Sequence, residues 1–574
     1  MGKKIVIVGG VAAGPKAACR VKRLMQDAEV TIIDQDTLIS YGGCGIPYYV
    51  SGDVSDEAEL RSTSFHMVRD EDFFKNAKGV IVKSGTRALA INRQDKTVKV
   101  RILASGEEQD IPYDTLMIAT GSRPFILPIP GADLDGVFTI SDLHKAIEIK
   151  DRIAKGKVDK AVVIGGGAIG LEMAEAFKDL WGVTTTVVEF MPQVLPRIVD
   201  APMASMLTKH IRDNEVDVFL SEGATEILGK DGKVTGLRTA KQTIDADIVI
   251  MAAGVRPRSE IAADAGLQIS PMGAIVVNER MQTSDPSIYA AGDCVEVMHL
   301  VTGKKFYAPL GSLANKEGRV AGDNMAGIPS IFKGAIGSFI MKAFDVCIGA
   351  TGLSLEVALA EGYDADVALT APSDRAHFFP TESVVCFQMV FDRRTRKVLG
   401  LQGFGPMGDG ISARIDAAAA YIAMGASIDD FGTLEMAYAP PFSAAIDSIN
   451  ALAYVADNLC DGRLRKSSLD TFLAWMDDFS TQSDWLALDI RHPIEAGPFV
   501  EKFGADKWLA IPYNEIRVRY KELPKDKKLI ILCDAGTRSF EMQTFLDSVD
   551  IQNTQVVSGG LNMIRRMGVD WYPG

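Results

Sequence analysis

The chain has no CxxC pair, no membrane-length apolar run and no excess of basic residues. Its seven cysteines, Cys19, Cys44, Cys294, Cys347, Cys386, Cys460 and Cys533, are odd in number and scattered over 574 residues. That spacing argues against a disulfide framework and against a zinc or other metal site, so any reactive sulfur acts singly. With 61 Lys and Arg against 75 Asp and Glu, the formal net charge of −14 excludes nucleic acid as the expected partner, because a phosphate backbone needs concentrated basic charge. An anionic cofactor then needs a local basic patch. No stretch reaches the length of a membrane span. Met1-Gly2-Lys3-Lys4 leads straight into Ile5-Val6-Ile7-Val8 with no apolar signal core, so the expectation is a cytoplasmic protein with no membrane partner.

What the chain does have is length, 47% hydrophobic residues and 53 glycines, enough for three or four packed domains with many tight turns. Strand Ile5–Val8 runs into Gly9-Gly10-Val11-Ala12-Ala13-Gly14, a turn that opens a helix. The dinucleotide fingerprint asks for glycine at the middle position and finds Val11, which weakens the match. Asp34, closing the next apolar run, restores it by supplying a carboxylate for a ribose hydroxyl. Lys16, Arg20, Lys22 and Arg23 on the helix form a basic cluster. That cluster reads equally as a solvated helix face or as a dock for phosphates.

The chain is organised around Ser40-Tyr41-Gly42-Gly43-Cys44-Gly45-Ile46-Pro47-Tyr48-Tyr49. This stretch brings a lone cysteine to the mouth of the first nucleotide site, with small residues that let a flat ring approach and Pro47 to keep the loop from becoming a strand. The position a second redox cysteine would take is Tyr49. A lone cysteine is more often a small buried hydrophobe, but the flanking motifs reverse those odds.

The stretch from Tyr113 to Pro124 is an apolar strand ending in a small-residue turn, Thr120-Gly121-Ser122. Strand Ala161–Ile164 then leads into Gly165-Gly166-Gly167-Ala168-Ile169-Gly170, a complete fingerprint, and the following strand ends in Glu189. That acid suits a ribose diol and repels a 2′-phosphate, favouring NADH over NADPH. Ile248 to Gly254 closes this second unit, and Ile288-Tyr289-Ala290-Ala291-Gly292-Asp293 returns to the first. This order of first dinucleotide site, TGS turn, second dinucleotide site and AAGD turn resembles the FAD-dependent pyridine nucleotide-disulfide oxidoreductases, from residue 3 to about residue 455.

The resemblance implies an α/β protein with two nested Rossmann-like dinucleotide-binding domains: residues 1–125 plus 286–330 for FAD, and 126–285 for NADH. An α+β dimerisation domain (331–455) and a linker (456–482) follow. FAD is implied at Gly9, Gly10, Val11, Ala12, Ala13, Gly14, Asp34, Gln35, Ala88, Thr120, Gly121 and Asp293. NADH is implied at Gly165, Gly167, Ala168, Ile169, Gly170, Glu189 and Gly254. Coenzyme A, as substrate or bound ligand, is implied at Lys16, Arg20, Arg23, Ser40, Gly43, Lys78 and Asn315, and a homodimer is expected. Lys342-Ala343-Phe344-Asp345, Gly400-Leu401-Gln402-Gly403 and Ala437-Tyr438-Ala439-Pro440-Pro441-Phe442 look like segments of the dimerisation domain, although they read equally as ordinary core strands and a proline-rich turn.

Beyond the charged run Asp461–Lys466, an α/β domain is expected at 483–574. Strand Lys528–Leu532 runs into Cys533-Asp534-Ala535-Gly536-Thr537-Arg538-Ser539. A cysteine at a strand end, followed by a six-residue loop into a helix, meets backbone amides and a helix N-terminus that stabilise thiolate or persulfide. With Asp489, Arg491 and the turn Val557-Ser558-Gly559-Gly560, this resembles a rhodanese domain. There, Arg538 orients the loop amides or pairs with an anionic donor.

A one-cysteine flavin reductase joined to a rhodanese resembles the coenzyme A-disulfide reductase and persulfide or polysulfide reductase fusions. The resemblance implies that electrons pass from NADH through FAD to a sulfur species on Cys44. Cys44 is expected to rest as a thiolate, held by the helix that follows it and by the flavin, while Cys533 carries sulfane sulfur. Two family tyrosines are replaced here, by Phe378-Phe379 and by Phe442, and Tyr438 is kept. The lost hydroxyl leaves water or Tyr438 to protonate a departing thiolate and favours persulfide or polysulfide over coenzyme A disulfide. Two rivals remain open. One is an NADH oxidase or peroxidase cycling Cys44 through a sulfenic acid; the other is a C-terminal sulfur sensor regulated by the flavoprotein.

Overall fold

The computed structural model describes residues 2–573. They fall into two units, one running from the amino terminus to Pro192 together with Glu215–Ala335, the other joining Gln193–Asn214 to everything from Ile336 onward. Among the described residues no helix is long and apolar enough to cross a membrane.

The first unit holds two five-stranded parallel sheets. One runs in the order Ile288–Ala290, Thr115–Ile118, Lys4–Val8, Glu29–Ile33, Ile81–Lys83. The other runs Val216–Phe219, Thr184–Val188, Lys160–Ile164, Ile248–Met251, Val137–Phe138. Their central strands are buried on both faces, which is why they read as unbroken apolar runs instead of alternating ones. In each sheet the turn after the central strand feeds a crossover helix, Ala13–Leu24 in the first and Ala168–Lys178 in the second. The two chain crossings between the sheets are stitched into a short antiparallel ribbon, Ser122–Pro124 against Val255–Pro257.

A second helix, Gly311–Met325, lies along Ala13–Leu24. Their approach depends on two glycines. A Cβ at Gly318 would stand 2.5 Å from the carbonyl oxygen of Ala13, and one at Gly322 would stand 3.0 Å from that of Ala17.

The second unit contains a five-stranded antiparallel sheet, in the order Phe339–Ala343, Val346–Gly352, Val398–Pro406, Cys386–Asp392, Ala365–Thr370. Helices Asp409–Ala423 and Ser448–Cys460 cover it. Helix Ala201–Asp213 belongs to this unit and not to the second nucleotide sheet, where the expected range 126–285 had put it. Asp200, just before that helix, explains the attachment. Its carboxylate accepts from Leu355 N at 3.0 Å, from Gln402 Nε2 at 2.7 Å and from Gln388 Nε2, while its own N–H donates to Gln402 Oε1 at 2.8 Å.

A further parallel sheet follows, in the order Lys466–Ser467, Thr554–Val557, Lys528–Leu532, Trp485–Asp489, Trp508–Ala510. Its first strand corrects the expected linker at 456–482. Lys466–Ser467 pairs with Val556 and Val557 as an edge strand, and helix Leu469–Asp477, capped by Ser468, buries Leu469, Phe472, Trp475 and Met476. The charged run hid this because its charges are used internally: Arg465 pairs with Asp547 at 2.6 Å and Lys466 pairs with Asp366.

One buried ion pair holds the second unit's long loops. Arg414 and Asp447 are 4% and 3% exposed and 2.7 Å apart, and Arg414 also donates to Asp374 O at 2.9 Å. Arg414→Ala leaves a buried carboxylate without its partner. The expected cost is about 3–5 kcal/mol, read as a lower urea midpoint, and an unchanged midpoint would remove this pair from the account.

Candidate active site

The two nucleotide turns repeat one construction. At the first, Gly9 lies in the left-handed region, with φ +118°, and a Cβ at Gly14 would stand 1.9 Å from Gly9 O. At the second, Gly165 has φ +116° and a Cβ at Gly170 would stand 1.9 Å from Gly165 O. In each case the acid closing the neighbouring strand grips the turn: Asp34 Oδ2 accepts from Gly10 N at 2.6 Å and Glu189 Oε2 from Gly166 N at 2.5 Å. The difference lies at the middle fingerprint position. Gly167 is the N-cap of its helix, where an added Cβ would meet nothing within 4 Å. The first helix has Ala12 as its N-cap and begins at Ala13, one fingerprint position later, so Val11 stays in the turn outside the helix.

Asp34, Gln35, Ala88, Thr120 and Arg258 line a cavity of about 620 Å³ together with Gly9. Burial pushes the Asp34 carboxyl up, and the N–H groups of Asp36 and Gly10 pull it back. Asp293 accepts from Ser122 Oγ at 3.1 Å, and its backbone carbonyl accepts from Tyr307 OH at 3.0 Å. A glycine turn no Cβ could enter, a carboxylate at the strand end and a long cavity between them fit a dinucleotide such as FAD. The second turn, with Glu189 also accepting from Met191 N at 2.7 Å, fits a second one.

Cys44 sits in a single turn, Gly43–Gly45, followed by helix Ile46–Ser51. Pro47 stands in the first turn of that helix, where a missing N–H costs nothing. Ser40 N donates to Gly10 O at 2.8 Å, tying the cysteine loop to the phosphate turn, and Gly42 N donates to Leu60 O at 2.9 Å. Cys44 is an exposed residue whose sulfur is set against Gly311, where a Cβ would lie 3.6 Å from it.

That contact alters the expectation of a thiolate held by the following helix. Crowding by the surrounding protein pushes the Cys44 thiol up, and the carboxylates of Glu172 and Asp293 push it further. The N–H of Gly311 and the backbone of Cys44 itself pull it down. The helix whose amino end meets the sulfur is therefore Gly311–Met325, which comes from far along the chain.

Three residues that the sequence reading missed stand here. Glu172, on the helix packed against Ile46–Ser51, is pushed up to about 7 by burial and by Glu175. Glu317 accepts from Gly292 N at 2.7 Å and is likewise pushed up to about 7, mainly by burial. Tyr48 is pushed up to about 12 by burial and by nearby acids, Glu172 first among them. In the sequence Glu172 is one of two acids on the helix that follows the last fingerprint glycine, and nothing there separates it from Glu175.

The basic cluster assembles in part. Lys78, Arg23 and Lys16 all act on the Cys19 thiol, opposing the burial that pushes it up. Arg20 instead pairs with Asp323 on helix Gly311–Met325, and Lys22 donates to Gln26 O and Ala28 O. Asn315 donates to Gly311 O at 2.9 Å, Ser40 is buried and Gly43 is exposed.

In the second unit, Phe378, Tyr438 and Phe442 are 68%, 51% and 76% exposed. They lie on two loops joined by Ala376 N donating to Pro440 O at 3.4 Å. Cys533, 1% exposed, ends its strand as expected, and Gly536 N donates to its Sγ at 3.2 Å. The closing glycine turn seals the loop: Leu561 N donates to Cys533 O and Asn562 N to Asp534 O, both at 2.9 Å. Asp489 and Arg491 form a buried pair at 2.7 Å. Among the described residues Ser539 Oγ, buried in the first turn of helix Thr537–Asp547, has no hydrogen-bond partner.

Glu172→Gln removes a carboxylate that opposes the Cys44 thiolate. Glu172 is charged above about pH 7, so at pH 8 the variant's Cys44 should be alkylated by iodoacetamide about three- to tenfold faster. Below about pH 6, where Glu172 is already neutral, the two proteins should converge. Equal rates at pH 8 would contradict the arrangement.

A family model described as pyridine nucleotide-disulphide oxidoreductase matches residues 3–305, and one for that family's dimerisation domain matches residues 340–449. The chain is 36% identical over 455 residues to the NAD(P)H coenzyme A polysulfide/persulfide reductase of Pyrococcus horikoshii, covering 79% of this chain and 98% of that one. It is 35% identical over 450 residues to an NADH oxidase of Methanocaldococcus jannaschii, covering 78% and 98%. Among solved structures, a NAD-dependent persulfide reductase from A. fulgidus is 38% identical with a TM-score of 0.91, over 98% of this chain and 99% of that one, so the likeness extends over the C-terminal sheet. With both nucleotide turns and the antiparallel sheet matched in order, the chain belongs to the pyridine nucleotide-disulphide oxidoreductases, whose cofactors are FAD and NAD(P)H.

Proposed function

We propose that this chain uses NADH to reduce S–S bonds of persulfides, polysulfides or coenzyme A-linked disulfides through Cys44 alone, and that its C-terminal domain is a rhodanese that carries sulfane sulfur on Cys533. The observation behind this reading is one exposed cysteine whose sulfur is set against the amino end of helix Gly311–Met325, with Tyr49 where a second cysteine would stand. The relatives named as persulfide or polysulfide reductases support it.

FAD in the first cradle would relay two electrons from the nicotinamide to sulfur. Every other role falls to side chains and amides of the chain. The Cys44 thiolate attacks an S–S bond and releases a thiol or hydrosulfide, and an outside thiol takes the part of the missing second cysteine. The Gly311 N–H holds the anionic sulfur. Glu172 keeps a proton beside this site up to about pH 7, which partly makes up for the family hydroxyls replaced by Phe378, Phe379 and Phe442. Glu189 favours NADH because a 2′-phosphate would face its carboxylate.

At Cys533 the Gly536 N–H stabilises thiolate or persulfide, and Lys16, Arg23 and Lys78 offer a phosphate dock of the kind coenzyme A needs. The exposed Phe378, Tyr438 and Phe442 suit a surface covered in a homodimer, as the match to a dimerisation domain suggests.

An NADH oxidase is the second reading, favoured by the name of the Methanocaldococcus relative. Anaerobic stopped-flow decides between them: flavin reoxidation fast with polysulfide and slow with oxygen supports the reductase, and the reverse order overturns it. Cys44→Ser should abolish reduction of every sulfur substrate, while Cys533→Ser should chiefly remove sulfur transfer from external donors. Full reductase turnover in the Cys44 variant would end the proposal.

A further inference from the structure

The loop around Cys533 carries its own counter-charge. Arg538, the cation placed to meet an anionic donor, is ion-paired with Asp534, the residue directly after the cysteine. Two neighbouring cations, Arg491 and Arg517, are taken in the same way. Arg491 is held by Asp489 through Nε–Oδ1 at 3.0 Å and Nη2–Oδ2 at 2.7 Å. Glu541 accepts from Tyr513 OH at 2.6 Å and from Arg517 at 3.2 Å. Asp534 also faces Arg491 and Tyr572, and Arg565 faces Tyr572 from the closing helix Gly560–Met567. At the rim the Asp534 and Arg538 side chains stay 30% and 40% exposed, so a donor approaching the sulfur meets this pair.

Resting on the rhodanese reading above, we propose that Asp534 is a specificity-determining residue: by engaging Arg538 and setting a carboxylate beside the sulfur, it turns away dianionic sulfane donors and favours donors with at most one charge at the reacting sulfurs. With an alkyl persulfide RS–SH, the Cys533 thiolate attacks the outer sulfur. The donor S–S bond breaks, a Cys533 S–S bond forms, and the electron pair leaves on RS⁻, which takes a proton from water; the product is Cys533–S–SH. With thiosulfate the same exchange expels sulfite, and no outside oxidant or reductant is needed in either case. The two donors differ in charge: thiosulfate brings two negative charges to the rim, where the Asp534 carboxylate repels them and competes for the Arg538 guanidinium.

The test is sulfur transfer to cyanide by the full-length FAD-loaded protein, with thiosulfate and with 2-hydroxyethyl persulfide as donors. Loading of Cys533 is followed by mass spectrometry, in the wild type, Asp534→Asn and Asp534→Ser. The expected result is a rise on the order of tenfold in the ratio of thiosulfate to persulfide kcat/KM in both variants. In the wild type the same ratio should rise with ionic strength, because salt screens the repulsion. A ratio that stays the same in both variants while Cys533 still takes up sulfur overturns the specificity role and leaves the rhodanese reading standing. No sulfur on Cys533 from either donor, in any of the three proteins, overturns both.

Discussion

How closely two helices can approach sets the chemistry of the first unit. Gly318 and Gly322 let helix Gly311–Met325 lie against helix Ala13–Leu24, with the main chain of Ala13 and Ala17 where a Cβ would otherwise be. That approach fixes the register of the later helix on the earlier one, bringing Gly311 to Cys44 and Glu317 to the amide of Gly292. A side chain at either glycine would wedge the pair apart and withdraw the N–H from the sulfur. The reactivity of a thiol follows the dipoles and charges around it, so this packing contact controls the site more directly than the residues that border Cys44 in sequence.

The protein around Cys44 is arranged against an isolated thiolate. Glu172 and Asp293 both oppose the charge, and the Gly311 N–H favours it. The acids also hold protons: Glu172 and Glu317 are each pushed up to about 7, mainly by burial. A sulfur held in that balance is poised to respond to whatever fills the neighbouring cradle. The second unit treats its own cysteine differently. Cys533 is buried under a glycine turn, with one loop amide aimed at it and the loop's charges cancelled at the rim.

Much of the scaffold was legible because it is local. A five-residue apolar strand, a glycine turn and an acid at the end of the next strand specify a nucleotide cradle within about thirty residues. The structure gives Asp34 and Glu189 the same bond to the second residue of each turn. Val11 looked like a defect, yet the first helix begins one fingerprint position later and leaves Val11 outside it. The stretch at 456–482 was misread because Arg463, Arg465 and Lys466 look like a solvated run, whereas each is spent on an internal acid and the apolar face of Leu469–Asp477 follows at once. Gly311, Glu172 and the pairing of Arg538 with Asp534 were not legible. The first two meet Cys44 across more than a hundred residues of chain, and the third is a choice between partners that sequence does not state.

If Cys44 alone takes up the substrate's sulfur and gives it up at the expense of NADH, that sulfur must be found on it between the two steps. Intact-protein and peptide mass spectrometry of the anaerobic enzyme tests it most directly, after exposure to polysulfide or coenzyme A disulfide and again after stoichiometric NADH. An added sulfur or thiol is expected on the Cys44 peptide, and it should disappear when NADH is supplied. An adduct that survives NADH, or that forms only on other cysteines, would contradict it.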